Sequence, residues 1–223
     1  MSQPPSQEQD GARRSAGTER FLSFSDAVVA IAATLLVLPL VDVVTDYDPD
    51  KGIQPFITNN KGLLFAFVLS FLVIYRFWSA HHAIFGPRLP LTATLRWLNG
   101  FWLLSIVFLP VPTRLIGSNT TSRGADALYI VTMLAAVVTT SASHWLIERA
   151  AGQPALAMAI SVLAMPAALA VALVLAVAVP GVGLWALLLL FPAGFLQNRY
   201  LRPWAARAAS AHGEQDAGPE HQD

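Results

Sequence analysis

The residues best placed to do chemistry stand at one end of an apolar stretch. Arg20, Ser25 and Asp26 open a run of alanine, valine, isoleucine and leucine that continues to Leu38. A charge near the end of a membrane-crossing helix is costly and is kept where a partner or a water-filled cavity receives it. Within the run, Ile31, Thr34 and Leu38 recur at i, i+3 and i+7, and Ala27 lies on the same stripe of a helix. A hydroxyl between bulky apolar residues on one stripe suits a narrow pore. Hydroxyl oxygens replace part of the water around a cation, and apolar rings gate by dewetting. The competing reading is that Thr34 bonds back to the preceding turn, a common fate of threonine in membrane helices. Two further polar groups lie in later apolar stretches: Trp78 with His81 and His82, and Asn99.

Other chemistries lack their residues. Cysteine is absent, which excludes disulfides, thiolate metal sites and a cysteine nucleophile. His81 and His82 are neighbours, so on a helix they point about 100° apart and cannot readily chelate one ion together. The sequence holds no His-x-x-x-His, His-Glu-x-x-His or Gly-x-Ser-x-Gly spacing and no glycine-rich phosphate loop. No enzyme, metal centre or cofactor is expected.

The elements that must position these residues are membrane helices. The chain has 223 residues, of which 55% are hydrophobic and 13% charged, against about 25% charged in a soluble domain. Its formal net charge of +0 gives no basic balance to attract nucleic acid. A span needs about 20 apolar residues. Six stretches qualify: 21–44, 62–83, 92–116, 125–148, 155–179 and 181–201. Only Pro180, Gly181, Val182 and Gly183 separate the last two, so these should form an antiparallel hairpin. Pro110 and Pro112 should end or bend the third span. Residues 1–19 and 204–223 are polar and are expected to be disordered cytoplasmic ends flanking a channel domain over 20–203. The fold class is therefore all-α integral membrane protein, six helices per subunit.

Arginine and lysine set the orientation. With the N-terminus inside, ten arginines, among them Arg20, Arg76, Arg96 and Arg149, fall on the inner side, and Lys51, Lys61, Arg114 and Arg123 on the outer. Six spans return the C-terminus inside. Asp42, Asp46, Asp48 and Asp50 make the first outer loop acidic, either a solvated loop or a means of concentrating cations at a pore mouth. At 1.5 Å rise per residue, Asp26, the Trp78–His82 region and Asn99 all fall at a similar depth in the inner part of the membrane. A cluster of Arg20, Ser25, Asp26, Trp78, His81 and Asn99 is then reasonable, because buried polar groups need partners. The cluster either staples helices together or senses protons through histidine. His144, beside Trp145, is expected to anchor the fourth span at the interface rather than serve as a ligand.

The order Arg20, Phe24-Ser25-Asp26, Ile31, Thr34 resembles the first helix of the transmembrane protein 175 family, potassium channels of endolysosomes with shorter bacterial relatives. Trp78-x-x-His81-His82 and Leu98-Asn99-Gly100, followed by Phe108-Leu109-Pro110-x-Pro112-Thr113, resemble its second- and third-helix motifs. The resemblance covers about the first half of the chain. It implies that Phe24, Ser25 and Asp26 are tied to arginine, tryptophan, histidine and asparagine partners that hold the pore helix. It also implies potassium as the favoured permeant ion and a homotetramer around a central pore.

One subunit has too little polar surface for a pore of its own, and only the first span carries a lining stripe. Several copies around an axis would turn that stripe into rings. The reading is a potassium-favouring cation channel in the bacterial cytoplasmic membrane, with both termini inside. Ile31 is the hydrophobic constriction, Thr34 the hydroxyl ring, Leu38 a second apolar ring and Ala27 the inner mouth. Proton permeation is worth testing. The Thr-Val-Gly-Tyr-Gly carbonyl filter is absent, so selectivity falls to side chains and pore width. A small proton-coupled transporter and a non-conducting scaffold are the alternatives.

Overall fold

The computed structural model describes residues 7–85, 91–117 and 123–150, together with Gly152 and a few isolated positions between 162 and 174. The described residues are helical apart from short turns. α1 runs Gln7–Leu35, α2 Leu38–Val44, α3 Ile53–Asn59, α4 Lys61–Ile84, α5 Ala93–Phe108, α6 Pro110–Gly117 and α7 Arg123–Ala150, with a single 3-10 turn at Pro49–Lys51. Four of the resulting segments are long and apolar enough to cross a membrane: Ala16–Val44, Lys61–Ile84, Ala93–Gly117 and Gly124–Ala150. These are the first four expected spans. The fifth and sixth, 155–179 and 181–201, lie outside the described residues, apart from isolated positions in the former.

Two prolines divide two of the spans. Pro39 brings no N–H to the ladder, so the carbonyl of Leu35 loses its usual donor. Val37 N–H turns to the Thr34 carbonyl at 3.2 Å, and Leu40 N–H to the Val37 carbonyl at 2.9 Å. Among the described residues no backbone N–H reaches the carbonyls of Leu35 or Leu36. The first span is thus a long helix followed by a short one, with Leu38 opening the second. In the third span Leu109 N–H bonds the Ile106 carbonyl at 3.2 Å just ahead of Pro110, and α6 starts there. The helix α1 also begins earlier than the apolar pattern marks: it runs through much of the 1–19 segment expected to be disordered. Glutamate, glutamine, alanine and arginine in that segment are good helix formers, and extending a formed helix is far easier than nucleating one.

The chain divides into two units, Met1–Thr140 and Ser141–Asp223, with α7 running across the division. In the first unit α4 is central: α1, α2, α3 and α6 all pack against it, and α5 packs on α1 and α6. Its core is built from Val29, Ala32, Leu36, Leu69, Ile74, Trp102, Ile106, Leu109, Tyr129 and Met133. Gly117 allows the tightest approach. A Cβ there would stand 2.5 Å from Leu63 Cδ1 and 3.0 Å from Leu63 Cα. In the second unit, within α7, His144 Nε2 lies 3.2 Å from Glu148 Oε1, and the Arg149 guanidinium lies 5.1 Å from the Trp145 ring centre.

Candidate functional site: an exposed helix stripe and the polar clasp behind it

Helix α1 has two faces. Ser25, Val29, Ala32 and Leu36 are buried at spacings of four, three and four, the signature of a helix packed along one side. Ala27, Ile31, Thr34 and Leu38 lie on the opposite side and are exposed. Ile31 is 60% and Leu38 52% accessible. Thr34 Oγ1 donates to the Ile31 carbonyl at 2.7 Å. That is the back-bond expected of a membrane threonine, and it does not use up the hydroxyl. The proton is spent on the helix, and the oxygen keeps its lone pairs.

Around Ser25 and Asp26, α1 is tied to α4 and α5 by side-chain hydrogen bonds. Trp78 Nε1 donates to Asp26 Oδ1 at 2.8 Å. Asn99 Nδ2 donates to Ser25 Oγ at 3.0 Å, and Ser25 Oγ donates to the Phe21 carbonyl at 3.1 Å. Asn99 Oδ1 faces His81 Nε2 at 2.7 Å. Because the amide nitrogen is committed to Ser25, Oδ1 must accept and Nε2 must carry the proton. The His81 ring is held on both sides. Trp102 stacks on it at 3.9 Å between centres with planes 12° apart, and Phe85 at 4.4 Å. His81, Asn99 and Ser25 are all buried.

Five of the residues grouped by sequence therefore meet: Ser25, Asp26, Trp78, His81 and Asn99. Arg20 and Phe24 do not join them. Both are exposed, and among the described residues no hydrogen bond or ion pair links Arg20 to the network. His82 is also exposed, with its ring 5.5 Å from that of Trp78. Among the described residues no group of three or more His, Cys, Asp or Glu could hold a metal ion.

A second polar staple escaped the sequence. Thr113 Oγ1 donates to the Leu109 carbonyl at 2.7 Å, so toward Ser70, 2.8 Å away, it can only accept. Ser70 Oγ thus gives its proton to Thr113 and accepts from Tyr129 OH at 3.0 Å. The chain of protons is fixed: Tyr129 to Ser70 to Thr113 to the Leu109 carbonyl. It joins α7, α4 and α6. The only signal was three hydroxyls in apolar spans, each obliged to find a partner. The Trp102 Nε1–H, by contrast, is buried and meets no acceptor among the described residues.

The described residues thus form a helical membrane protein with four candidate membrane-crossing segments, the first of them tied to its neighbours on one side by a buried polar network. Residues 20–110 match the family model described as endosomal/lysosomal potassium channel TMEM175. A potassium channel of Streptomyces collinus is 31% identical over 134 residues, which cover 58% of this chain and 64% of that protein. The human endosomal/lysosomal proton channel TMEM175 is 30% identical over 95 residues, or 42% of this chain and 18% of the human one. The crystal structure of a lysosomal potassium-selective channel TMEM175 homolog from Chamaesiphon minutus superimposes with a TM-score of 0.65 at 25% identity, covering 82% of this chain and 99% of that one. Over residues 20–110 the chain is similar to the TMEM175 family, and the Streptomyces, human and Chamaesiphon proteins it matches are named as channels. The matched stretch spans less than two thirds of the Streptomyces and human proteins.

Proposed function

We propose that the chain is one subunit of a potassium-favouring cation channel whose pore is lined by α1. The observation that carries this reading is the split of α1 into a buried face and an exposed stripe of Ala27, Ile31, Thr34 and Leu38. Repeated around an axis, Ile31 forms an apolar constriction that opens by wetting, and Thr34 a ring of oxygens one turn outward. Leu38, at the start of α2, forms the outer apolar ring. The names of the bacterial relatives support potassium as the permeant ion, and the name of the human relative supports proton flux as a second measurement. The assembly is a homotetramer in the bacterial cytoplasmic membrane, its channel domain covering 20–203 and both termini cytoplasmic.

Purified protein in liposomes tests this directly through potassium, sodium and proton flux without a coupled gradient. Passive potassium flux is the expected result, and flux that requires a proton gradient would favour the transporter. Ile31→Asn should raise leak current, because an amide-lined ring wets more readily than an isoleucine ring. Thr34→Ala should leave the pore open while the preference for potassium over sodium falls. Leu104→Ala, on an exposed part of α5, and Val131→Asn, on an exposed part of α7, are the controls. Equal effects from the controls would sink the assignment of the stripe.

A further inference from the structure

The outer end of the first span is held by something other than helix continuity. Pro39 interrupts the ladder, and the Leu35 and Leu36 carbonyls have no backbone donor among the described residues, so α2 is hinged to α1. Leu38 stands at that hinge. Four residues further on, Asp42 Oδ2 lies 3.0 Å from Arg114 Nη2 of α6. The helix α6 is itself immobilised on its other side. Thr113, next to Arg114, is bonded to Ser70, and Gly117 lets α6 close onto Leu63 of α4.

We propose that Asp42 and Arg114 are positioning residues for ion conduction, a tether that fixes the tilt of α2 and so the placing of Leu38 in the outer pore. The inference rests on the reading that α1 and Leu38 line the pore. An exposed ion pair ordinarily does little for stability. Here it acts on a hinge rather than on the folded state. α2 packs on α4 with Pro39 buried, and what the pair biases is the swing of α2 about that packed end. A bias of the size that exposed pairs supply corresponds to about a 1.5- to 5-fold change in a two-state population.

Two accounts of these charges make opposite demands. If Asp42 and Arg114 act only through the local field, neutralising Asp42 lowers the cation concentration at the mouth and neutralising Arg114 raises it. Potassium currents then move in opposite directions. If they act as a tether, either neutralisation frees α2 in the same way, and both currents move in the same direction.

The test uses Asp42→Asn, Arg114→Gln and the charge exchange Asp42→Arg with Arg114→Asp, in the full chain in planar bilayers. The readouts are open-channel potassium current and potassium-to-sodium reversal potential. Expected are changes of the same sign in the two single variants, about 1.5- to 5-fold in current, restoration by the exchange, and unchanged oligomer size. Because the chain has no cysteine, the pair Asp42→Cys with Arg114→Cys gives an independent arm. Bridging the two thiols with a bifunctional methanethiosulfonate long enough to span the Arg114 side chain should shift the current and dithiothreitol should reverse the shift, which keeps the proposal testable if a single variant fails to assemble. Opposite signs in the single variants, or wild-type currents in all of them with no redox response, would overturn the tether. A wild-type protein that passes no cation removes the channel reading itself and the tether with it. A conducting wild type whose current is moved by Ile31→Asn but not by the tether variants removes the tether alone.

Discussion

At the scale of single residues, the hydrogen bonds of the polar clasp set what each substitution should cost. Asp26 accepts one hydrogen bond from Trp78. Trp78→Phe removes the donor from a half-buried carboxylate, and hydrogen bonds to charged groups contribute about 1.5–3 kcal/mol. We expect the thermal midpoint of the purified oligomer in detergent to fall accordingly. Asp26→Asn keeps an acceptor for the indole and should cost less than Trp78→Phe. The reverse order would mean that the carboxylate has a charged partner outside the subunit. Asn99 is the centre of the network, joining His81 to Ser25. Asn99→Leu leaves both partners buried and short of a bond, at about 1–3 kcal/mol for each unsatisfied group. It should therefore reduce assembled protein strongly, while whatever current survives keeps wild-type potassium preference. A changed preference with intact assembly would move Asn99 into the ion path.

At the scale of elements, two features join α6 to its neighbours, and each has a distinct signature. The proton order along Tyr129, Ser70 and Thr113 makes Thr113 the acceptor of the Ser70 proton and Tyr129 the first donor, at the free end. Thr113→Val strands the Ser70 proton and should cost more than Tyr129→Phe, which removes only the first donor. The expected values are about 1–3 against about 0.5–1.5 kcal/mol, read from chemical or thermal unfolding of the two variants side by side. Equal costs would contradict the proton order. Gly117→Ala places a methyl against the Leu63 backbone as well as its side chain. Backbone cannot swing aside as a side chain tip can, so an overpacking cost of about 1–3 kcal/mol is expected, with the midpoint falling in the same assay. A neutral result would show that α6 slides along α4 without resistance.

At the scale of the whole molecule, orientation and copy number decide what the stripe on α1 can do. Single cysteines in this cysteine-free chain report the first. A cysteine at Asp48 should react with an impermeant maleimide on intact cells, and one at Ala217 should react only after permeabilisation. Labelling of position 217 from outside would reverse the topology. Native mass spectrometry reports the second, with four copies expected. A stable monomer that conducts would remove the need for rings of Ile31 and Thr34. The acidic segment 42–50 carries less free negative charge than its four carboxylates suggest, because Asp42 pairs with Arg114 and Asp48 with Lys51.

The sequence by itself determined the membrane class, the first four spans, the exposed Ala27–Ile31–Thr34–Leu38 stripe and the meeting of Ser25, Asp26, Trp78, His81 and Asn99. These were legible because hydrophobic length, helical period and the need of buried polar groups for partners are properties that local sequence carries. Depth along a helix follows from a fixed rise, so residues on three spans could be brought to one level without coordinates. Other features needed the tertiary structure. Arg20 and Phe24 belong to the same motif yet stay outside the clasp, because membership depends on which way a helix is rotated against its neighbours. Ser70, Thr113 and Tyr129 meet although 59 positions separate the first and last, and nothing in their local windows singles them out from other hydroxyls. The pairing of Asp42 with Arg114 joins two short helices, α2 and α6, each set off from the preceding helix at a proline, Pro39 and Pro110. A proline announces that a helix can bend; the angle, and what the bent segment then touches, are set by packing against α4.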